Sequence, residues 1–157
     1  MPSAPNAEIR CVLIVGAGTM GQQIGLQCAM YGYEVVVYDI APDALEAARA
    51  QINAYAAQLV DRMRLAPSES SAALARIRFT ANPADAAQAD LVSESVPEDP
   101  ALKAKVFAQF NEICPPHTIF TTNSSSLVPS MFADATGRPA QFAALHFHSL
   151  PGCAIPR

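Results

Sequence analysis

An apolar segment at residues 12–15 runs directly into the turn Gly-Ala-Gly-Thr-Met-Gly at residues 16–21. A helix-like segment follows, and a second apolar segment then ends at Asp39, eighteen residues after the last glycine of the turn. A strand, a G-x-G-x-x-G turn, a helix and an acid at the end of the next strand are the ordered parts of a dinucleotide-binding unit. This arrangement therefore predicts a β-α-β unit that binds a dinucleotide.

Each residue of the turn has a physical task in such a unit. Gly16 allows a tight turn out of the strand, Gly18 lets a pyrophosphate approach the backbone, and Gly21 lets the helix pack close to the sheet. The N–H groups at the start of the helix face the phosphates and favour negative charge. The candidate cofactor contacts here are Gly16, Gly18, Thr19, Met20 and Gly21.

Asp39 is the candidate contact to the adenine ribose. A carboxylate accepts hydrogen bonds from both ribose hydroxyls, whereas a 2′-phosphate at this position would meet a like charge. The sequence therefore favours NAD over NADP. The alternative, a structural glycine turn in another α/β protein, lacks a reason for the acid at this spacing.

Composition limits the remaining classes. The 157 residues are 51% hydrophobic, which suits one globular domain, and the net charge of −4 without a Lys/Arg run argues against nucleic-acid binding. Nothing in the sequence has the length of a transmembrane helix or the pattern of a targeting segment, so we expect no membrane association and a cytoplasmic location. Four scattered cysteines and three histidines form no metal-binding pattern, so no metal is expected.

Strand-like and helix-like segments alternate along the chain. This pattern predicts an α/β fold with a Rossmann-type, doubly wound, mostly parallel sheet in a single domain over residues 9–149. Residues 1–8 are expected to be a disordered tail and residues 150–157 an irregular one. Among the predicted elements are helices over 42–65, 100–114 and 127–135 and a strand over 141–147. The helix over 100–114 has an apolar stripe at Leu102, Val106, Phe110 and Ile113.

Three further segments follow predicted strands. They are the segment 89–103, with the sequence ADLVSESVPEDPALK, the segment 120–127, with FTTNSSSL, and the segment 145–148, with LHFH. Together with the glycine turn, these motifs resemble the NAD-binding domain of the 3-hydroxyacyl-CoA dehydrogenases from about residue 9 to residue 147. The resemblance implies that an acyl-CoA is the substrate and that (S)-3-hydroxyacyl-CoA is oxidised to 3-ketoacyl-CoA, with hydride transfer to NAD.

The resemblance also implies catalytic residues. His146 matches the histidine of the family's His-Phe-Phe-Asn-Pro motif, which acts as general base on the substrate hydroxyl. An unperturbed histidine pKa of about 6.5 suits that role. Ser125, twenty-one residues earlier, matches a serine near the nicotinamide and the substrate oxygen. Without the resemblance, a strand-end histidine that only packs locally and a serine in a turn or helix cap are the simpler interpretations.

Other positions carry over as binding residues. Glu98 and Lys103 match residues that line the cofactor near the nicotinamide ribose, and Asn123 lies in the serine motif. Ser149 replaces a cofactor-contacting Asn. Arg62 falls where relatives carry a lysine that holds CoA, although an exposed helix charge is usually only solvated. For Glu94 the simpler interpretation is that it only ends a strand, and Ser126 is expected to cap the helix over 127–135.

The match decays after His146. The family's glutamate partner of the catalytic histidine would fall about one residue beyond Arg157, and the family's helical C-terminal domain, which carries the dimer interface, is absent from the sequence. We therefore expect the cofactor half of a dehydrogenase, dimeric only with that domain. The alternatives are an NAD(H)-binding module without turnover and a dehydrogenase of the 6-phosphogluconate or 3-hydroxyisobutyrate type.

Overall fold

The computed structural model describes residues 8–147. Six strands form one sheet in the order β3-β2-β1-β4-β5-β6, and each neighbouring pair is parallel. The strands are β1 (Cys11–Val15), β2 (Glu34–Tyr38), β3 (Ile77–Thr80), β4 (Leu91–Glu94), β5 (Ile119–Thr122) and β6 (Phe142–Ala144). The predicted doubly wound Rossmann-type sheet is confirmed. The tails predicted for residues 1–8 and 150–157 lie, but for residue 8, outside the described residues.

Within residues 8–147, four α-helices connect and cover the strands. They are α1 (Thr19–Met30), α2 (Pro42–Asp61), α3 (Pro67–Ala75) and α4 (Pro100–Ile113). Short 3₁₀ helices lie at Pro83–Gln88, Pro129–Met131, Asp134–Thr136 and Pro139–Gln141. Proline occupies the first turn of α2, α3 and α4, where its missing N–H costs no helical hydrogen bond.

Alternation along β1 explains how one sheet supports two cores. Val12 and Ile14 pack into a cluster with α1, α2 and α3, whereas Leu13 and Val15 pack into a second cluster with α4. Successive side chains of a strand point to opposite faces, so a strand covered on both faces is apolar throughout. The central strands are therefore rigidly held, and the turns at their carboxyl ends are fixed in position.

The helix expected over 127–135 is not an α-helix. Two 3₁₀ turns, Pro129–Met131 and Asp134–Thr136, take its place. Pro129 keeps Val128 in an extended conformation, with φ −83° and ψ 141°, and Thr136 Oγ1 donates to Ala133 O, which competes with helical bonding. The expected cap by Ser126 is also wrong, because the residue that precedes the first turn is Val128.

Two other elements are shorter than expected. Helix α2 ends at Asp61, and Met63 then adopts a left-handed φ of 54°, which prevents the helix from reaching residue 65. The last strand spans only Phe142–Ala144 of the expected 141–147. In the part of the chain that the structure describes, this strand lies at one end of the sheet, so a single neighbour defines its length.

Candidate active site at the carboxyl ends of the strands

The glycine turn after β1 is shaped by steric contacts that only glycine tolerates. Gly16 has a φ of +107°, and a Cβ on it would lie 2.8 Å from Ser95 O. A Cβ on Gly21 would lie 2.0 Å from Gly16 O, closer than any real contact. The turn therefore packs directly against the segment after β4, and α1 starts immediately beside the sheet.

Gly18 differs from these two glycines because a Cβ on it would meet nothing within 4 Å. Gly18 is the N-cap of α1, and no side chain caps this helix, so the backbone N–H groups of its first turn, with Thr19 and Met20, have no side-chain acceptor there. Gln22 Nε2 donates to Ala17 O at 2.8 Å and holds the turn from its buried side. An uncapped helix start beside an open glycine fits a pyrophosphate.

Asp39, which follows β2, is tied to the glycine turn. Its Oδ2 accepts from the N–H of Ala17 at 2.9 Å, and its Oδ1 accepts from the N–H of Ala41 at 3.0 Å. Each carboxylate oxygen has a further lone pair, so the side chain, which is half-buried, retains acceptor capacity for a ribose. The acid thus joins the end of β2 to the glycine turn that precedes α1.

A buried ion pair lies where β4 meets α4. Lys103 Nζ is 2.7 Å from Glu94 Oε1 and 2.9 Å from Oε2, and neither side chain has any exposed surface. Glu94 also accepts from Thr122 Oγ1 at 2.7 Å and from the N–H of Val96 at 2.7 Å. A buried charge is tolerated when it is paired and hydrogen-bonded in this way.

Glu98 connects this pair to the serine motif. Its Oε2 lies 3.5 Å from Lys103 Nζ, while its Oε1 accepts from Ser124 Oγ, from Ser126 Oγ at 3.2 Å and from the N–H of Ser126 at 3.4 Å. Desolvation alone would raise the pKa of Glu98, but the hydrogen bond from Ser124, the charge of Lys103 and the bonds from Ser126 hold it below its ordinary value. Glu98 is therefore an anion that secures the loop carrying Ser125.

The two predicted catalytic residues lie on adjacent segments. Ser125 is exposed in the loop after β5, and His146 is exposed just after β6, the strand that pairs with β5. The N–H of Leu145 donates to Thr122 O at 3.0 Å, and the N–H of Phe147 donates to Asn123 Oδ1 at 3.1 Å. The two segments that carry Ser125 and His146 are thus hydrogen-bonded to each other.

Not every predicted site residue lies in this group. Arg62 is exposed at the carboxyl end of α2, a helix of 20 residues, and so lies about 30 Å along the helix axis from Pro42. Ser149 is outside the described residues. Within residues 8–147, no group of three or more His, Cys, Asp or Glu side chains is arranged to hold a metal ion.

Sequence reasoning left two residues without a firm role. The position of Glu94 in the sequence could have indicated the ion pair, because an acid at the end of the buried strand Leu-Val-Ser-Glu needs a buried partner. Arg138 gave no local signal. Its guanidinium donates to Asn111 Oδ1 at 2.9 Å and to Pro115 O at 2.6 Å and lies 4.6 Å from the centre of the Phe120 ring. It thereby fixes the segment before β6 to the end of α4.

The fold and the glycine turn define an NAD-binding domain of the Rossmann class. A family model described as "3-hydroxyacyl-CoA dehydrogenase, NAD binding domain" matches residues 11–153. The chain therefore belongs to the 3-hydroxyacyl-CoA dehydrogenase family, as its NAD-binding domain, and its cofactor is NAD.

Individual relatives agree with this assignment. The chain is 34% identical over 140 residues to a probable 3-hydroxybutyryl-CoA dehydrogenase of Bacillus subtilis, covering 89% of this chain and 49% of that protein. It is 36% identical to the 3-hydroxyadipyl-CoA dehydrogenase of Escherichia coli, covering 89% of this chain and 30% of that protein. The chain thus spans about half, or less, of the length of these curated relatives.

Solved structures agree in geometry as well. The 3-hydroxybutyryl-CoA dehydrogenase of Ralstonia eutropha superposes with a TM-score of 0.86 at 34% identity, covering 89% of this chain and 50% of that chain. A diketoreductase superposes with a TM-score of 0.83 at 40% identity, with the same two coverages. None of the helices within residues 8–147 is both long and apolar enough to cross a bilayer.

Proposed function

We propose that the protein takes part in the NAD-dependent interconversion of (S)-3-hydroxyacyl-CoA and 3-ketoacyl-CoA. The observation that carries this proposal is the hydrogen-bonded pairing of the segments that hold Ser125 and His146. Both segments lie at the carboxyl ends of the strands, as the glycine turn does, and ligands of open parallel sheets bind there. This general rule for parallel sheets supports a role for Ser125 and His146 at the same site as the glycine turn.

In this proposal His146 is the general base. Its imidazole takes the proton of the substrate hydroxyl in the oxidation, and it returns a proton to the oxygen in the reverse direction. Ser125 donates a hydrogen bond to the same oxygen and stabilises the charge that develops on it. NAD supplies the hydride acceptor when it is bound.

The remaining predicted residues bind and orient. The turn residues Gly16, Gly18, Thr19, Met20 and Gly21 would hold the pyrophosphate, and Asp39 would accept from the adenine ribose. Near the nicotinamide ribose we place Glu98, Lys103, Asn123 and Ser149. Lys103 has no exposed surface, so its proposed contribution there is to hold Glu98. Arg62 is the proposed contact for a phosphate of CoA, because a guanidinium binds phosphate oxygens through charge-assisted, bidentate hydrogen bonds.

A second candidate function is binding of NAD(H) without turnover. It is supported by the glycine turn and the uncapped start of α1, which suit a dinucleotide without any contribution from Ser125 or His146. In either function we propose a cytoplasmic location, supported by the free thiols of Cys11, Cys28 and Cys114, which suit a reducing compartment. A homodimer is proposed only for a form that includes the family's helical domain.

The experiment that separates the two functions is acetoacetyl-CoA-dependent oxidation of NADH by the purified chain, with NADH binding measured independently. We expect His146→Gln to lower kcat at least about a hundredfold, since general catalysis contributes ~10²–10⁴-fold, with NADH affinity nearly unchanged. His117→Gln is the matched control, because His117 lies beside Asp90 at the amino ends of the strands, away from the proposed site. Equal turnover in His146→Gln and the parent would remove His146 from the mechanism, and NADH binding without any turnover would favour the second function.

A further inference from the structure

The backbone amides on either side of His146, those of Leu145 and Phe147, are both hydrogen-bonded to the end of β5. In the parallel pair of β5 and β6, Thr122 lies opposite Ala144, and the N–H of Leu145 donates to Thr122 O at 3.0 Å. N–H groups two residues apart along a strand point to the same neighbour, so the next donor toward β5 is the N–H of Phe147. That donor would normally bind a backbone carbonyl.

Asn123 supplies the acceptor instead. Its Oδ1 accepts from the N–H of Phe147 at 3.1 Å, across 24 residues of sequence. Its own N–H donates to Glu94 O at 2.9 Å, which continues the pairing of β5 with β4. Asn123 thus completes one ladder with its backbone and extends the other with its side chain, at the point where β5 ends.

His146 lies between the two amides that this arrangement fixes. The chain leaves the sheet here, since β6 ends at Ala144 and both Leu145 and His146 are exposed. Phe147, by contrast, is half-buried and packs against the core cluster that includes Val12 and Ile14. The hydrogen bond from Phe147 to Asn123 therefore fixes where the chain turns and, with it, where the imidazole of His146 is presented.

We propose that Asn123 is a positioning residue for His146, acting through the amide of Phe147. The proposal rests on the proposed function only for the catalytic importance of His146. A displacement of about 1 Å in a reacting group costs up to ~10²-fold in rate. A side chain that adds one hydrogen bond to the end of an edge strand is therefore enough to matter for turnover.

The test compares Asn123→Leu, which keeps the size but removes the acceptor, with Asn123→Asp, which keeps the acceptor. In Asn123→Leu, amide exchange at Phe147 should accelerate about tenfold, the rate change that loss of one hydrogen bond produces. Exchange at Leu145, which is bound to the backbone of Thr122, should not change. Asn123→Asp should restore the protection of Phe147.

A second readout follows His146 itself. The imidazole carbon–proton resonance of His146 should shift and broaden in Asn123→Leu and return in Asn123→Asp. The resonance of His117, at the amino ends of the strands, serves as the internal reference, and Asn53→Leu on the exposed face of α2 is the matched variant. In turnover, Asn123→Leu should lower kcat about tenfold or more, and Asn123→Asp should recover most of that loss.

Two results would overturn the inference. One is unchanged exchange at Phe147 in Asn123→Leu. The other is a large loss of NADH affinity with the Phe147 amide and the His146 resonance unaltered, which would make Asn123 a cofactor contact only. Failure of the proposed function gives a different signature, because His146→Gln would then turn over like the parent while exchange at Phe147 still depended on Asn123.

Discussion

Lys103 Nζ and Glu94 Oε1 lie 2.7 Å apart, and both side chains are completely buried beneath the loop that carries Ser125. The pair joins helix α4 to the end of strand β4, and Glu98 joins it to the serine motif. An ion pair in this position orders the polar end of the sheet. Its contribution to the free energy of unfolding can be measured by replacing one of the two partners.

We expect Lys103→Met to destabilise the fold by about 3–5 kcal/mol, because Glu94 would remain buried without a compensating charge. The double variant Glu94→Gln/Lys103→Met should recover much of that loss. Urea unfolding followed by circular dichroism measures both. Lys105→Met, an exposed lysine on the same helix, is the control. A single variant as stable as the parent would contradict the assigned role of the pair.

The glycine turn offers a matched pair of substitutions. Gly21→Ala should destabilise the fold by about 1–3 kcal/mol or more, because its Cβ would lie 2.0 Å from Gly16 O. Gly18→Ala should fold like the parent, since its Cβ would meet nothing within 4 Å, yet bind NADH more weakly. Thermal unfolding and NADH fluorescence titration separate the two effects. Unchanged NADH affinity in Gly18→Ala would contradict the proposal that the pyrophosphate binds against this glycine.

Asp39 is expected to set the preference between NADH and NADPH. Asp39→Asn removes the charge but keeps one acceptor oxygen, so NADH affinity should fall about tenfold, the effect of losing charge-assisted hydrogen bonds, while discrimination against NADPH relaxes. Dissociation constants for both cofactors provide the measurement. Asp43→Asn, an exposed acid in the first turn of α2, is the control. Equal affinities in variant and parent for both cofactors would end the ribose assignment.

Asp90 makes the stability of the fold depend on pH. Desolvation alone would raise its pKa, but hydrogen bonds from the amides of Cys11 and Arg10 and from His117 hold the pKa below its ordinary value. A carboxyl whose folded pKa is lowered stabilises the protein above its unfolded pKa of about 3.9 and loses that contribution as the pH falls through the folded value.

The expected result is that the parent loses more stability between pH 7 and pH 3 than Asp90→Asn does. Urea unfolding at a series of pH values provides the comparison. Glu112→Gln, an exposed acid on α4, should follow the parent curve. Identical pH profiles for Asp90→Asn and the parent would show that these hydrogen bonds do not bias the titration.

Local sequence patterns predicted the sheet well, but they failed where a contact with a distant residue determines the local structure. The apolar strands and the glycine turn carry their own signals, so the order of elements through α4 was predictable. The stripe predicted for α4 placed Leu102 inward, but Leu102 is 36% exposed and Lys103 is buried. The reason is Glu94, a partner nine residues away that hydrophobic periodicity does not register.

The segment from Leu127 to His146 was the least predictable. Its composition suits a helix, but Pro129, Thr136 and the capping of α4 by Arg138 favour 3₁₀ turns that lead into a short edge strand. Arg138 binds carbonyls more than twenty residues away, and such a contact leaves no trace in local spacing. The same holds for the hydrogen bond that the amide of Phe147 donates to Asn123 Oδ1.

The strand order places β2, with Asp39, on one side of β1. The strands β4, β5 and β6, with Ser125 and His146, lie on the other side. In the proposed function, residues on the β2 side of the central strand recognise the adenosine end of the cofactor, and residues on the β5 and β6 side carry out the chemistry at its nicotinamide end. Engineering can exploit that division: cofactor preference can be rewritten within residues 16–43 while the segments after β5 and β6, and the reaction they serve, are left as they are.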